Sequence, residues 1–269
     1  MRSSATSATD AAGVRAAYAA AGAHWQAGPG IVYDRLAREL VACSPRTLAG
    51  ARVADVGAGT GAAGRAARAA GAGDVVSIDL AAGILVGADL PGPALVADAG
   101  ALPLADRTVD AAIAAFSFNH LADPVTGFAE AHRVVRAGGV VVAGTYATDD
   151  DHPVKAAVAA TLAAHGWEAP GWYRALRDAW GPALGTPEGC RAAAGAAGLD
   201  GRVLLRRVRF ADLGPRRLVE WRFGMAQHAP FLARLDPVQR EELARAAVLR
   251  LGDAPPLVRS VLVTVAVVG

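Results

Sequence analysis

The stretch that most constrains this chain is an apolar strand running straight into alternating glycines, Val53-Ala54-Asp55-Val56-Gly57-Ala58-Gly59-Thr60-Gly61, followed by the Ala- and Arg-rich run 62–70. Such a strand, turn and helix deliver a ligand to a helix N-terminus, where backbone N–H groups are free. Glycine suits the turn because a side chain there would oppose positive φ and block close approach of the backbone to a ligand.

The rest of the chain follows the rhythm this turn sets. Strands are expected at 52–56, 75–79, 94–97, 109–116 and 140–145, with helices between them. Residues 81–88 read as a short helix, Asp123-Pro124 as a helix start and Arg136-Ala137-Gly138-Gly139 as its end. Alternation of this kind predicts a doubly wound, Rossmann-like sheet, mostly parallel, with right-handed crossovers. Ahead of it, 1–10 reads as a loose tail, and two helices are expected at 11–20 and 31–42, giving an N-terminal helical segment over 1–50.

After the fifth strand the rhythm breaks. Residues 146–185 carry Trp167, Trp172 and Trp180 with Tyr146 and Tyr173, in a stretch too long for a simple loop. Thr186-Pro187 caps a helix ending at Gly198, and 203–210 forms a sixth strand. A second insertion, about 211–258, holds helices near 216–228 and 237–251 before a last strand at 261–268. The expected architecture is therefore one α/β domain over 51–269, a seven-stranded sheet whose last strand is antiparallel, with helical cap insertions.

Composition narrows the function classes. With 53% hydrophobic residues in 269 the chain has ample material for a core. A net charge of +2 lacks the basic excess of a nucleic-acid binder, so no nucleic-acid partner is expected. Arg202, Arg206, Arg207, Arg209, Arg216 and Arg217 cluster, but Val208 and Phe210 alternate with them, as on a solvated strand face. No apolar run approaches the roughly 20 residues of a membrane span, and 1–10 has no signal-peptide core. Cys43 and Cys190 show no metal or disulfide spacing, so no metal is expected and a cytoplasmic location is.

Three acids close or nearly close successive strands: Asp55 before the glycines, Asp79 after the second strand and Asp98 after the third. Ligands of open α/β sheets bind outside the carboxyl ends of the strands, so these positions converge on one crevice. Asp79, 20 residues beyond Gly59, can take both hydroxyls of a ribose, and Asp98 can accept from an adenine amino group. Gly59, Gly61 and Gly64 also satisfy a dinucleotide fingerprint, so a nicotinamide-dependent oxidoreductase is an alternative. A pyrophosphate gains nothing from the negative charge at Asp55, whereas a ligand with cationic groups does, through direct contact or through an ordered loop.

The glycine motif resembles motif I of class I S-adenosylmethionine-dependent methyltransferases. The resemblance runs from Arg52 to Thr145 through Ser77-Ile78-Asp79-Leu80, Val96-Ala97-Asp98-Ala99, Leu102-Pro103-Leu104, Thr108-Val109-Asp110 and Arg133-Val134-Val135-Arg136-Ala137-Gly138-Gly139. It is nearest to small-molecule enzymes like those of ubiquinone and menaquinone biosynthesis and of natural-product pathways. It implies S-adenosylmethionine as cofactor, with S-adenosylhomocysteine as product, and a small-molecule acceptor. Carried over position by position, Gly57, Gly59 and Gly61 would bound the methionine part, with Asp55 and Ala58 also counted as cofactor-binding candidates, Asp79 and Leu80 would hold the ribose and adenine, and Asp98 with Ala99 the adenine edge. Ser117 would approach through its backbone.

Asn119-His120-Leu121 falls where relatives carry a histidine pair used as a base, which makes His120 the catalytic candidate. The pair is incomplete here, since Asn119 replaces one member and Thr145 stands where an acid can occur. His120 equally reads as a polar residue bonding its own loop. Tyr18, His24 and Trp25 are candidates to close over the cofactor or to pack, and His228 is a candidate pocket residue. The aromatics of 146–185 read either as an acceptor pocket or as the core of a cap. A protein that binds the same cofactor without methylating anything remains a further alternative.

Overall fold

The structure is a computed structural model. The described residues are 4–25 and 28–269, with side chains described except at 4–11, 23, 24 and 179–182.

The chain enters through two helices, α1 (Ser4–Trp25) and α2 (Pro29–Val41), so the expected tail is already helical from Ser4. The alternating core follows: β1 (Arg52–Val56), α3 (Ala62–Ala69), β2 (Asp74–Asp79), α4 (Ala82–Leu85), β3 (Ala94–Val96), β4 (Val109–Ala115), α5 (Pro124–Val134) and β5 (Val135–Tyr146). Helices α6 (Pro153–Ala163), α7 (Gly171–Leu184) and α8 (Pro187–Ala196) lead to β6 (Gly201–Phe210). Then α9 (Pro215–Phe223), α10 (Ala229–Leu232) and α11 (Pro237–Leu251) lead to β7 (Leu257–Val267).

Local chemistry explains the boundaries. The Asp123 carboxylate accepts from Val125 N at 3.0 Å to open α5, and Thr186 Oγ1 accepts from Gly189 N at 3.1 Å to open α8. The run 136–139 was expected to close α5, but α5 stops at Val134 and this run already pairs. Gly138 N donates to Val268 O and Val268 N to Gly139 O, an irregular entry into β5 that positive φ at Gly138 permits. The helix expected at 81–88 is one turn only, and the one expected at 216–228 ends at Phe223, where Gly224 follows.

The sheet order is β3-β2-β1-β4-β5-β7-β6. Strands β1 to β5 pair in parallel, β7 runs antiparallel to both β5 and β6, and β6 therefore points the same way as β5. Both insertions consequently leave from the carboxyl edge. The inner strands bury both faces with a period of two. Val53, Ala111, Ile113, Val140, Val142, Val263 and Val265 meet α2, α3, α6, α9 and α11, whereas Ala54, Val56, Ala112, Val141 and Leu262 meet α5 and α8. The second insertion is thus a layer on one sheet face. The edge strand β6 keeps Arg202, Arg206, Arg207 and Arg209 exposed, while Arg216 and Arg217 pair with glutamates. Among the described residues no helix is long and apolar enough to cross a membrane, and no group of acids, histidines and cysteines could hold a metal.

Phe128 is buried in the α5 layer and meets Phe118 edge-on, centroids 5.0 Å apart, which fixes the turn that carries His120. Phe128→Ala is expected to cost about 3–5 kcal/mol of stability, read as a lowered urea midpoint; an unchanged midpoint would contradict this packing.

Candidate functional site

A cavity of about 480 Å³ opens at the carboxyl ends of β1, β2 and β4, within the range of small-molecule sites. Gly57, Ala58, Gly59, Asp79, Leu80, Asp98, Ala99, Ser117 and His120 all line it. Two expected residues, Asp55 and Gly61, do not. The structure therefore brings together most of the expected site and assigns the other two a place behind it.

The glycine turn is held from two sides by carboxylates. Asp79 Oδ2 accepts from Gly59 N at 2.8 Å and Oδ1 from Ala81 N at 2.9 Å. Each oxygen has a second lone-pair direction left, so the carboxylate can still take a ligand's hydroxyls. Burial raises the Asp79 pKa, opposed by the N–H bonds from Ala81 and Gly59. Asp55 lies beneath the turn, fully buried, where Oδ2 accepts from Gly64 N at 2.7 Å and Oδ1 has no partner among the described residues. Of the two roles expected for Asp55, its place behind the lining and its bond to Gly64 N fit ordering of the loop rather than direct contact with a ligand. Gly61 sits at the start of α3 with φ +87°, and its N–H closes the turn onto Ala58 O at 2.8 Å.

Sterics make Gly57 obligatory. At φ +71°, a Cβ there would lie 2.2 Å from Ser117 Cβ, and Ser117 Oγ is itself fixed by donating to Val56 O at 2.6 Å. A Cβ on Gly59 would meet only Ile84 Cδ1, at 3.9 Å, so the backbone there faces open cavity. Asp98 is exposed, with Oδ1 accepting from Gly100 N at 2.8 Å.

His120 ends a 3-10 turn, Phe118–His120, and its Nε2 lies 3.1 Å from the Tyr18 hydroxyl of α1. Burial lowers its pKa to about 4, so the ring is neutral near pH 7. Nδ1 is buried and has no hydrogen-bond partner among the described residues. It carries an N–H if Tyr18 donates to Nε2, and a lone pair if Tyr18 accepts.

The opposite wall is aromatic. Tyr18 meets Trp25 at 5.7 Å, Trp25 meets Tyr33 at 5.3 Å, and Tyr33 meets Phe116 edge-on at 5.5 Å. Phe116 stacks on Tyr146 at 4.6 Å, and Trp172 of α7 completes the lining. Phe116 adopts φ +63°, a strained conformation for a bulky residue and one found at sites. The sequence expectation reached Tyr18, Trp25, Tyr146 and Trp172 but missed Tyr33 and Phe116, which look like ordinary helix and strand residues in sequence.

Several candidates fall elsewhere. Trp167 donates to Gln227 O at 3.1 Å and packs on His228, so both fill the layer between insertions. His228 Nδ1 donates to Arg222 O at 2.7 Å, and burial lowers its pKa to about 3. Thr145 is buried and outside the cavity lining, because alternation along β5 sends its neighbour Tyr146 there. The side chains of His24 and Trp180 lie outside the described residues.

Burial raises the Asp55 pKa to about 7, against the usual carboxylate value near 3.9 in the unfolded chain. Between these values the folded state holds the extra proton, so its stability falls by about 1.4 kcal/mol per pH unit and levels off above the folded value. His120 and His228 act in the opposite direction at lower pH, so a variant comparison isolates Asp55. Relative to wild type, Asp55→Asn should gain about 2–3 kcal/mol between about pH 5 and pH 8 in urea unfolding. Parallel pH profiles for the two proteins would contradict the assignment.

Residues 54–143 match a family model described as a methyltransferase domain. A demethylmenaquinone methyltransferase of Renibacterium salmoninarum is 35% identical over 112 residues, covering 40% of this chain and 47% of that protein. One from Beutenbergia cavernae is 34% identical over 126 residues, covering 46% and 52%. The chain thus matches about half the length of these curated relatives. Among solved structures, a putative methyltransferase from an antibiotic biosynthesis pathway of Anabaena variabilis superposes with a TM-score of 0.60 at 17% identity, covering 86% of this chain and 96% of that one.

Proposed function

We propose, for a chain whose residues 54–143 form a methyltransferase domain of the class I S-adenosylmethionine-dependent kind, that it transfers a methyl group from S-adenosylmethionine to a small-molecule acceptor. Secondary or natural-product metabolism is the setting this reading favours. The observation that carries it is a single cavity lined by Asp79 and Asp98 at one end, the glycine turn in the middle and the aromatic wall at the other. One ligand with an adenosyl part and a second, planar one can therefore share it.

The residues present fit the cofactor. Gly57 and Gly59 leave the backbone open to it, Asp79 keeps lone pairs for ribose hydroxyls, and Asp98 and Ala99 stand where an adenine edge would lie. When bound, S-adenosylmethionine supplies an activated methyl on a positively charged sulfur. The chain's part is to hold the acceptor atom in line behind that methyl, and positioning of this kind is worth roughly 7–11 kcal/mol. His120 and the aromatic wall would orient the acceptor. Tyr18 acts through His120 as a positioning residue. The free, buried cysteines Cys43 and Cys190 fit a reducing cytoplasm.

Two features support methyl transfer over the oxidoreductase alternative. The family match is to a methyltransferase domain, and the sheet inserts an antiparallel β7 between β5 and β6 where dinucleotide enzymes use the order 3-2-1-4-5-6. Calorimetric titration is expected to show binding of S-adenosylhomocysteine, weakened at least about tenfold, or about 1.4 kcal/mol, by Asp79→Ala. Labelled methyl should pass from S-adenosylmethionine to pathway intermediates. Binding of a nicotinamide cofactor in its place would overturn the reading, and cofactor binding without transfer to any acceptor would leave a non-methylating binding protein.

A further inference from the structure

Arg65 stands at an unfavourable place in its helix. It lies in the first turn of α3, just after the Gly61 cap, where the free N–H groups and the helix dipole disfavour a cation. Acceptors from separate segments hold it there: Nη1 donates to Thr60 O at 2.6 Å and to Asp89 O at 2.8 Å, and Nη2 donates to Asp34 Oδ1 at 2.7 Å. A guanidinium reaches all of them because its donors diverge in one rigid plane, an arrangement that a lysine ammonium does not reproduce.

Each acceptor belongs to a segment that lines the cavity, although Arg65 itself does not. Thr60 is part of the glycine turn and lines the cavity directly. Asp34 sits on α2 between Tyr33 and Ala37, both in the lining. Asp89 precedes Leu90, which packs with Ala58, Ala81 and Ile84, again all in the lining. The guanidinium thus fastens the glycine turn to α2 on one side and to the loop after α4 on the other. Gly61 leaves room for this crossing. A Cβ there would stand 3.2 Å from both Arg65 Nη1 and Asp89 O and 2.8 Å from Leu90 Cδ2, against the contact that joins them.

Arg68, on the same helix, makes bonds of the same kind without the same connection. It donates to Ala72 O and Pro91 O, each at 3.0 Å, and to Gly73 O. None of these residues lines the cavity, so Arg68 is a matched control for what an α3 arginine does to stability alone.

We propose that Arg65 is a positioning residue for the glycine turn that receives the cofactor: it clamps Thr60 O to Asp89 O and to Asp34, with Gly61 as the gap through which the guanidinium passes. The identity of the ligand rests on the methyltransferase reading, and one arm of the test needs no ligand.

The experiment compares the full chain with Arg65→Met, Arg65→Lys and Arg68→Met. The amides of Ala58, Gly59 and Gly61 are all hydrogen-bonded, so their hydrogen exchange in the unliganded protein reports how firmly the turn is held. Exchange there should speed up at least about fivefold in Arg65→Met, by less in Arg65→Lys, and should not change in Arg68→Met. The dissociation constant of S-adenosylhomocysteine should rise at least about tenfold in Arg65→Met, by less in Arg65→Lys, and stay within about twofold of wild type in Arg68→Met. A general loss of stability would move both methionine variants alike, so the contrast between them isolates positioning. If Arg65→Met does not fold, judged by circular dichroism, Asp34→Ala takes its place; it removes only the tie to α2 and should raise both quantities by smaller factors. The proposal is overturned if the variant leaves either quantity unchanged, or if Arg68→Met changes them as much. Failure of the wild-type chain to bind S-adenosylhomocysteine would instead count against the methyltransferase reading, and the exchange contrast would then decide the clamp by itself.

Discussion

Two hydrogen bonds to carboxylates, Gly59 N of the glycine turn to Asp79 and Gly64 N of the following helix α3 to Asp55, hold the geometry on which the site depends. They come from neighbouring strands and approach the turn from opposite sides, one at the cavity and one beneath α3. A turn with positive φ at Gly57, Gly59 and Gly61 carries a large conformational entropy when unfolded. Tying it to the rigid sheet at two points is what leaves the Gly57 and Gly59 backbone presented to a ligand. The two acids divide the work: Asp79 keeps lone pairs for a ligand, and Asp55, out of reach, serves the loop alone.

The second constraint is the wall that the N-terminal helices add. Helix α1 brings Tyr18 onto His120 and Trp25 onto Tyr33, so residues far apart in sequence form one continuous aromatic lining. Close approach of α1 to α4 depends on small residues, since a Cβ on Gly83 would lie 2.9 Å from Ala19 Cβ. The insertions then differ in use. The first contributes Trp172, Leu176 and Leu184 to the cavity, whereas the second packs as a sheet-covering layer and, through Ala226 and Ala229, against α1 behind Trp25.

Much of this was legible in sequence because it is encoded locally. The glycine turn, the acids at 79 and 98, the Asp123 and Thr186 caps and the alternation of strand and helix are each short-range signals, and together they gave a mostly parallel seven-stranded sheet with an antiparallel last strand. What was not legible is long-range. Asp55 reads as a ligand contact because it precedes the glycines, and only the packing of α3 over β1 turns its side chain away from the cavity. Tyr33 sits at ordinary helical spacing, and nothing near Arg259 announces that it pairs with Asp150, 109 residues earlier. The helix expected to end at 136–139 was misjudged because glycines there admit an irregular strand entry as readily as a helix end. His228 failed as a pocket residue because burial and one backbone carbonyl satisfy it.

The central claim is that Asp79 binds the adenosyl ligand while Asp55 holds the loop and touches no ligand. A crystal structure of the chain with S-adenosylhomocysteine tests it most directly. The account predicts ribose hydroxyls on the Asp79 carboxylate, the methionine part along Gly57 to Gly59, and Asp55 still accepting from Gly64 N. A ligand seated elsewhere, or an Asp55 carboxylate in contact with it, would contradict the account.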